Sequence, residues 1–321
     1  MASKLPAYRP QLATLVDSPP DDPDRIQELK LDGYRIGCLL EGGKVRLETR
    51  RNNDWTAQFA SVAAAAQRLK AKSALLDGEV AVLMPSGITS FQGLQNVAAS
   101  GGYLVYFVFD LIHLDGENVG ALPLEERKQK LRELLEKSKV DKVIKYVDHV
   151  VGDAAKVFAQ ACKLGAEGII SKSRTAPYRA GRNTVWVKVK CVHRQELVIG
   201  GFTDPEGSRA GIGALLVGYY ADGDLKYAGK VGTGKGFTRD YLEKLRVQLD
   251  AIAHKDCPFA AKPKGIKAGS THWVKPKIVV EVQFVEWTGD GSLRHPSLLG
   301  IRKDKRATDV VREAPKKQGE S

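Results

Sequence analysis

The stretch Glu28-Leu29-Lys30-Leu31-Asp32-Gly33-Tyr34-Arg35 decides how this chain is read. A lysine stands two residues ahead of an Asp-Gly pair, and a short apolar run follows from Tyr34. Asp and Gly tolerate turn conformations that most residues resist. Lys30 is therefore expected just before a turn that feeds a strand. There its amine is a candidate nucleophile toward a nucleotide α-phosphate, if it loses its proton and lines up with the leaving pyrophosphate. Nearby positive charge would favour that loss by disfavouring the ammonium. Taken alone, Lys-x-Asp-Gly fits a surface lysine before a turn equally well.

Outward from this stretch, Arg35 to Arg50 reads as a hairpin turning at Glu41-Gly42-Gly43. Upstream, residues 1–24 are rich in Pro and Asp and are expected to be an extended lead-in. Downstream, Ala57 to Lys70 carries apolar residues at helical spacing. Leu75 to Leu83 reads as a strand. Tyr103 to Leu114 is almost continuously apolar, as in a strand buried on both faces. A charged helix follows Pro123, from Leu124 to Lys137. Asp153 is the expected cap of another that runs to Leu164. Gly168 to Ser171 and Val185 to Val189 read as strands.

Beyond Cys191 to Arg194 the pattern changes to short strands: Leu197–Phe202, Leu215–Tyr220, Leu225–Val231 and Ile278–Trp287. Asp222-Gly223 is a hairpin turn between the second and third. One helix, Thr238–Ala253, interrupts them, and Lys262–Lys277 is expected to be a loop. Such a set suits a small barrel of the oligonucleotide-binding (OB) type. The Gly229 to Lys235 segment has the spacing of a phosphate-binding loop, but Gly236 stands where that loop needs Ser or Thr. Gly229 to Gly234 is read as a tight turn.

Several further elements carry chemistry. Thr49-Arg50-Arg51, Asp77-Gly78-Glu79, Phe109-Asp110, Glu167-Gly168-Ile169-Ile170-Ser171-Lys172, Trp186-Val187-Lys188-Val189-Lys190 and Arg302-Lys303-Asp304-Lys305 follow Lys30 in that order. Glu79 and Glu167 are carboxylates suited to a hard divalent cation. Lys188 and Lys190 alternate along a strand, so both point to one face and can stabilise charge on a phosphate. Each element alone has a bland alternative: a turn glutamate, a solvated lysine strand, a core phenylalanine.

Together, in this order, they resemble the covalent nucleotidyltransferases, the superfamily of DNA ligases, RNA ligases and capping enzymes. Over nearly the whole chain the pattern is most similar to ATP-dependent DNA ligases, and within them to the ligase module of bacterial ligase D, of non-homologous end joining. The resemblance implies an α+β protein. A nucleotidyltransferase domain of antiparallel sheets with helices spans residues 1–192, an OB β-barrel residues 193–314, and a flexible tail residues 315–321. It implies that Lys30 is adenylated, with Asp32, Lys188 and Lys190 assisting. Glu28, Arg35, Arg50, Glu79, Phe109, Lys172, Trp186, Arg302 and Lys305 would contact the nucleotide, Phe109 by stacking on the purine. Glu79 and Glu167 would hold Mg²⁺, with Mn²⁺ as an alternative ion. ATP is the implied nucleotide and nicked double-stranded DNA the implied substrate. A Ku-like end-binding protein and polymerase and phosphoesterase modules are the implied partners. An RNA ligase, a capping-type guanylyltransferase and a non-catalytic OB protein are the competing readings.

Composition agrees with a polyanionic partner: Lys plus Arg outnumber Asp plus Glu by 50 to 38 in 321 residues, a net charge of +12. No apolar run approaches the ~20 residues that cross a bilayer, and no secretory signal opens the chain. Cys38, Cys162, Cys191 and Cys257 form no CxxC pair, which argues against structural zinc. They are expected as reduced thiols in a cytoplasmic, nucleoid-associated protein.

Overall fold

The computed structural model describes residues 5–313, apart from 96, 98–100, 141, 206–210, 233–237, 264 and 267. The tail expected at 315–321 lies outside the described residues. The chain forms two compact units, one within Met1–Cys191 and one within Val192–Glu313.

In the first unit the lead-in is not merely extended. It contains β1 (Gln11–Leu15), followed by β2 (Arg25–Leu29). β1 escapes a reading by hydrophobicity because two of its buried residues are polar. Gln11 Nε2 donates to Asn183 Oδ1 at 3.2 Å, and Thr14 Oγ1 donates to the Asn183 carbonyl at 2.8 Å. The expected hairpin is β3 (Tyr34–Glu41) and β4 (Lys44–Thr49), with Gly42 and Gly43 at positive φ in its turn. Helix α1 (Ala60–Ala66) is shorter than its periodicity suggests. Then come β5 (Ser73–Leu83), β6 (Thr89–Ser90), the short helix α2 (Phe91–Gln95) and β7 (Tyr103–Leu114). Helix α3 (Leu124–Ser138) starts after Pro123 as expected. β8 (Ile144–Tyr146), β9 (Val150–Val151), α4 (Ala154–Lys163), β10 (Gly168–Ser173) and β11 (Gly181–Lys190) complete the unit. Asp153 precedes α4 with a left-handed φ of 45° and makes no side-chain cap bond, contrary to the expected capping.

These strands make two sheets, ordered β1-β11-β10-β2-β9 and β4-β3-β5-β7-β8. Pairing is antiparallel except at β1–β11 and β7–β8, which run parallel. The second sheet has an apolar reverse face, and the first mixes Ile169, Val187 and Val189 with the buried polar Gln27 and Ser171 on its reverse face. α1 and α3 pack on Ile36, Cys38, Leu76, Val80, Tyr106 and Val108 of the second sheet. α4 packs through Ala161 on Ile169 and Val189 of the first. Fully burying a side chain of this kind contributes about 1.5–3 kcal/mol. The reverse faces thus supply stability and leave the front faces for charged groups.

The second unit is built from β12 (His193–Thr203), β13 (Ala214–Ala221), β14 (Asp224–Gly232), α5 (Arg239–Asp250), β15 (Ala253–His254), β16 (Thr271–Val274), β17 (Val279–Phe284), β18 (Glu286–Trp287), β19 (Leu293–Arg294) and β20 (Ser297–Arg302). The order β13-β14-β20-β17-β12 closes on itself because β12 also pairs β13. This is the five-stranded barrel of an OB fold. Two local expectations change. The Lys- and Pro-rich stretch 262–277 contains β16, which pairs Trp273 with Gly201. Gly229 to Gly232 continue β14 rather than turning, with a bulge beside Gly229, and 233–234 lie outside the described residues.

The cysteines are also not all reduced. Cys162, in α4, is disulfide-bonded to Cys191, just past β11, while Cys38 and Cys257 are free. The bond joins segments that the chain order keeps apart, so no local cysteine spacing announces it. Among the described residues no helix is long and apolar enough to cross a membrane.

Candidate nucleotide site

Strand register puts the charged residues together. Cross-strand partners share a face, and residues two apart on one strand share it too. Glu28 lies across from Ile170, which lies across from Lys188; Lys172 lies across from both Ile26 and Trp186. Lys30 continues the ladder by donating its amide to the Gly168 carbonyl, and Gly168 pairs with Lys190. One front face therefore carries Glu28, Lys30, Lys172, Trp186, Lys188 and Lys190. On the second sheet, Arg35 pairs with Glu79 and Glu79 with Phe107, so these three share the other front face with Asp77.

Two glycines let the faces meet at Lys30. Gly168 has φ of 153°, and a Cβ there would lie 2.0 Å from the Val189 carbonyl oxygen. This backbone turns Glu167 toward the lysine: Lys30 Nζ donates to Glu167 Oε2 at 2.5 Å. At Gly33 a Cβ would lie 2.3 Å from the Val80 carbonyl oxygen. The bare backbone there lets the Gly33 amide donate to Glu79 Oε1 at 2.8 Å. Asp32 pins the same turn, its Oδ2 accepting from the Phe91 amide at 3.0 Å.

The electrostatics at Lys30 run against the sequence expectation of a positive surrounding. Burial alone would lower its pKa, but Glu167, Glu79 and Asp32 outweigh burial and raise it above the usual lysine value. The free site thus holds an ammonium among carboxylates. Positive charge that would favour the amine must arrive with the nucleotide complex. Glu79 and Glu167 are hard oxygen donors beside the nucleophile. That fits a Mg²⁺ site, since Mg²⁺ binds one or two carboxylates together with substrate phosphates and water.

Lys172 has a different setting. Glu28, 3% exposed, accepts a hydrogen bond from Lys128 on Oε1 and forms an ion pair with Lys172 through Oε2, both at 2.5 Å. Burial pulls Lys172 down to about 8; Glu28 opposes this and Lys128 reinforces it. Burial would raise Glu28, yet the two lysines hold it below the usual carboxylate value. The Lys172 ammonium also lies over the rings of Trp186 and Phe109, 4.1 and 4.4 Å from their centroids.

Arg35 is bidentate to the buried Asp77, at 2.6 and 2.5 Å, and Tyr8 and Tyr178 donate to the same carboxylate at 2.8 and 2.6 Å. Sequence reasoning missed Asp77, Tyr8 and Tyr178 as one network, as it missed Lys128 and the Asp110–Arg127 pair (2.7 Å). Arg50 is exposed at the end of β4, and Arg51 beside it is half-buried.

The expected stacking ring, Phe109, is 6% exposed and covered. It meets Trp186 edge-to-face at 6.0 Å and takes the Arg35 guanidinium 4.5 Å from its centroid. A bulge between Asp77 and Gly78 in the β5–β7 ladder passes over Phe109. Phe107 instead lines a cavity of about 260 Å³ with Lys30, Leu29, Leu31, Ile88 and Val147. A strand written Phe-Val-Phe offers both rings, and only the register separates them.

Arg302 and Lys305 belong to the second unit and are engaged within it. Arg302 is bidentate to Asp304, at 2.9 and 2.8 Å, and reaches Glu281 at 3.3 Å; Lys305 reaches Glu196 at 2.9 Å.

Residues 10–190 match the model of the ATP dependent DNA ligase domain, and residues 208–305 that of the ATP dependent DNA ligase C terminal region. The multifunctional non-homologous end joining protein LigD of Pseudomonas aeruginosa is 41% identical over 311 residues, covering 95% of this chain and 36% of that protein. The LigD end joining DNA repair protein of Mycobacterium tuberculosis is 38% identical over 288 residues, covering 89% and 37%. The chain thus spans little more than a third of these relatives' length. A solved structure described as mycobacterial DNA ligase D complexed with ATP and MES superposes with a TM-score of 0.72 at 34% identity, over 95% of this chain and 98% of that one. The ligase domain of M. tuberculosis LigD matches with a TM-score of 0.52 at 35% identity, over the same shares of the two chains.

Proposed function

We propose, from the premise that this chain belongs to the ATP-dependent DNA ligase family, that it seals nicks in double-stranded DNA through a lysyl-AMP on Lys30. The observation that carries this reading is the Lys30 amine at the cavity, hydrogen-bonded to Glu167, with Glu79 and Asp32 among its charged neighbours.

Lys30 Nζ attacks the α-phosphorus of ATP. A P–N bond forms, the α–β P–O bond breaks and pyrophosphate leaves. The lysine proton is lost to solvent as the positive charge of the nucleotide complex disfavours the ammonium. Lys188 and Lys190, on the same sheet face, neutralise charge on the α-phosphate as the bond breaks. The 5′-phosphate of the nick then attacks the AMP phosphorus and frees Lys30. Finally the 3′-hydroxyl attacks the activated 5′-phosphate, forms the phosphodiester and expels AMP. Positioning and charge neutralisation do most of the work in such transfers. Mg²⁺ held by Glu79 and Glu167, with Mn²⁺ as the alternative, would neutralise phosphate charge.

The purine would stack on Phe107 rather than Phe109, with Glu28 and Lys172 meeting its polar edge. Trp186 would back that edge, and Arg35 and Arg50 would serve the sugar or substrate phosphate. The end-joining names of the relatives support a role in double-strand break repair. A Ku-like end-binding protein, polymerase and phosphoesterase modules, and a cytoplasmic, nucleoid-associated setting belong to this same proposal.

The test is labelling with α-phosphate-labelled ATP and Mg²⁺ on a denaturing gel, beside GTP, NAD and Lys30→Ala. Label from ATP alone, absent in the variant, followed by sealing of a nicked duplex, supports the reading. Label from GTP or NAD instead, or folded protein that takes no label, overturns it.

A further inference from the structure

The inward stripe of α3 consists of Leu124, Arg127, Lys128, Leu131, Leu134, Leu135 and Ser138. Two cations stand where aliphatic side chains would bury without penalty. Arg127 has an evident structural use: it forks onto Asp110 and donates to the carbonyls of Leu122 and Ala176. The helix is therefore anchored without Lys128. Lys128 is 1% exposed, and its ammonium goes elsewhere. It donates to Glu28 Oε1 at 2.5 Å and to the Val147 carbonyl at 3.0 Å, and lies 4.6 Å from the Tyr146 ring centroid. Val147 and Tyr146 both line the cavity that holds Lys30 and Phe107.

We infer that Lys128 is a positioning residue for purine selection: it ties the Glu28 carboxylate to the Val147 wall of the cavity and so fixes the orientation in which Glu28 meets the base. This rests on the reading that Glu28 and Lys172 face the purine edge. The geometry supplies the selectivity. Glu28 has one oxygen pinned by Lys128 and the other by Lys172, so the carboxylate plane is set from both sides. A carboxylate accepts hydrogen bonds only, while lysine donates only. Adenine offers an exocyclic amine donor beside a ring acceptor, which matches a fixed acceptor–donor pair. Guanine offers an oxygen acceptor beside a ring donor, which sets acceptor against acceptor. Without Lys128 the carboxylate has a single partner and can rotate to follow Lys172, so the order of acceptor and donor is no longer enforced.

The experiment measures lysyl-nucleotide formation on the full chain with ATP and with GTP, for wild type, Lys128→Met, Lys128→Gln and Lys128→Arg, beside thermal melts. In Lys128→Met, KM for ATP is expected to rise about tenfold, with kcat within about threefold, and ATP-over-GTP preference to fall about tenfold. Lys128→Arg keeps the charge and two donors and should restore most of the preference. If Lys128→Met does not fold, Lys128→Gln decides by the same readout. Unchanged KM and preference in a folded variant overturn the inference, as does a fall in kcat with no change in KM or preference. A wild type that takes no label from ATP instead sinks the nucleotidyltransferase reading beneath it, so the two failures are told apart.

Discussion

Lys30 and Lys172 stand on one face of the same sheet, each 2.5 Å from a glutamate, and their proton affinities move in opposite directions. Burial pushes both the same way. The difference is the charge count around each. Lys30 faces three carboxylates, Glu167, Glu79 and Asp32. Lys172 shares the carboxylate of Glu28 with a second lysine, Lys128, and feels Asp110 more weakly. The lesson is that an ion-pair distance does not by itself describe a buried lysine: the surplus or deficit of neighbouring charge does. The acid-rich corner suits a group that must meet a cation-laden phosphate. The lysine-rich corner suits a donor that reads an uncharged base.

The most severe break of the comparison is Lys30→Arg. Arginine keeps the positive charge and the pairing with Glu167, but it does not give up its proton. Adenylate formation is expected to fall by more than about 10³-fold, read by retained label, while the thermal transition moves little. An arginine variant that still accepts label would assign the nucleophile to another residue.

The next effect is on stability and separates the two glutamates. Glu28→Gln leaves Lys128 and Lys172 buried together without the carboxylate that pairs them directly, a loss expected at about 3–5 kcal/mol. Glu167→Gln leaves Lys30 with Glu79 and Asp32, and the Lys30 side chain is 20% exposed, so a loss of about 1 kcal/mol is expected. Denaturant unfolding of both variants measures the difference. Equal losses would mean that the pair, not its surroundings, sets the energy.

How much of this was legible beforehand follows from how far apart the partners lie. Lys30, Asp32, Glu79, Glu167, Lys188 and Lys190 announce themselves because each sits in a short local pattern, and the strand order then brings the patterns together. Lys128 is 100 residues from Glu28 and sits in a helix so charged that it reads as surface. Asp77 was legible as part of Asp-Gly-Glu, but its partners Tyr8 and Tyr178 were not. The Cys162–Cys191 bond, with a sequence separation of 29, has no spacing signature. β1 was hidden because Gln11 and Thr14 are buried polar residues, satisfied by Asn183. Hydrophobic periodicity cannot see such a strand.

Phe107 and Phe109 sharpen the comparison further, since register rather than composition distinguishes them. Phe107→Ala should raise KM for ATP about tenfold with a modest change in stability. Phe109→Ala should instead lower stability by about 3–5 kcal/mol, because its ring fills the contact with Trp186. The pair is read by ATP titration of adenylation and by denaturant unfolding. Exchange of the two phenotypes would move the purine to Phe109.

The smallest expected effect is a slope with pH, and it tests the comparison most directly. Lys172 holds its proton to about pH 8 in the folded chain, against an ordinary value of 10.5. Below pH 8 both folded and unfolded chains carry this proton, and the penalty of burying it is full. Between pH 8 and 10.5 the unfolded chain binds more protons at this site, so its contribution to the unfolding free energy rises with pH, by at most about 1.4 kcal/mol per unit. Lys30 has the opposite sign. Its folded value is raised, so its contribution is present below the ordinary lysine value and is lost as pH climbs through the folded one. The charged groups that face Lys172 are Glu28 from β2, Lys128 from α3 and Asp110 from β7. Glu28 and Asp110 work against the slope and Lys128 with it. Lys172→Met removes the slope without adding a charge. Wild type should therefore gain stability relative to Lys172→Met as pH rises from 8 to 10, measured by denaturant unfolding at constant ionic strength. A difference that stays flat, or shrinks, over that range would mean that Glu28 neutralises Lys172 as fully as the carboxylates neutralise Lys30, and the contrast between the two corners would disappear.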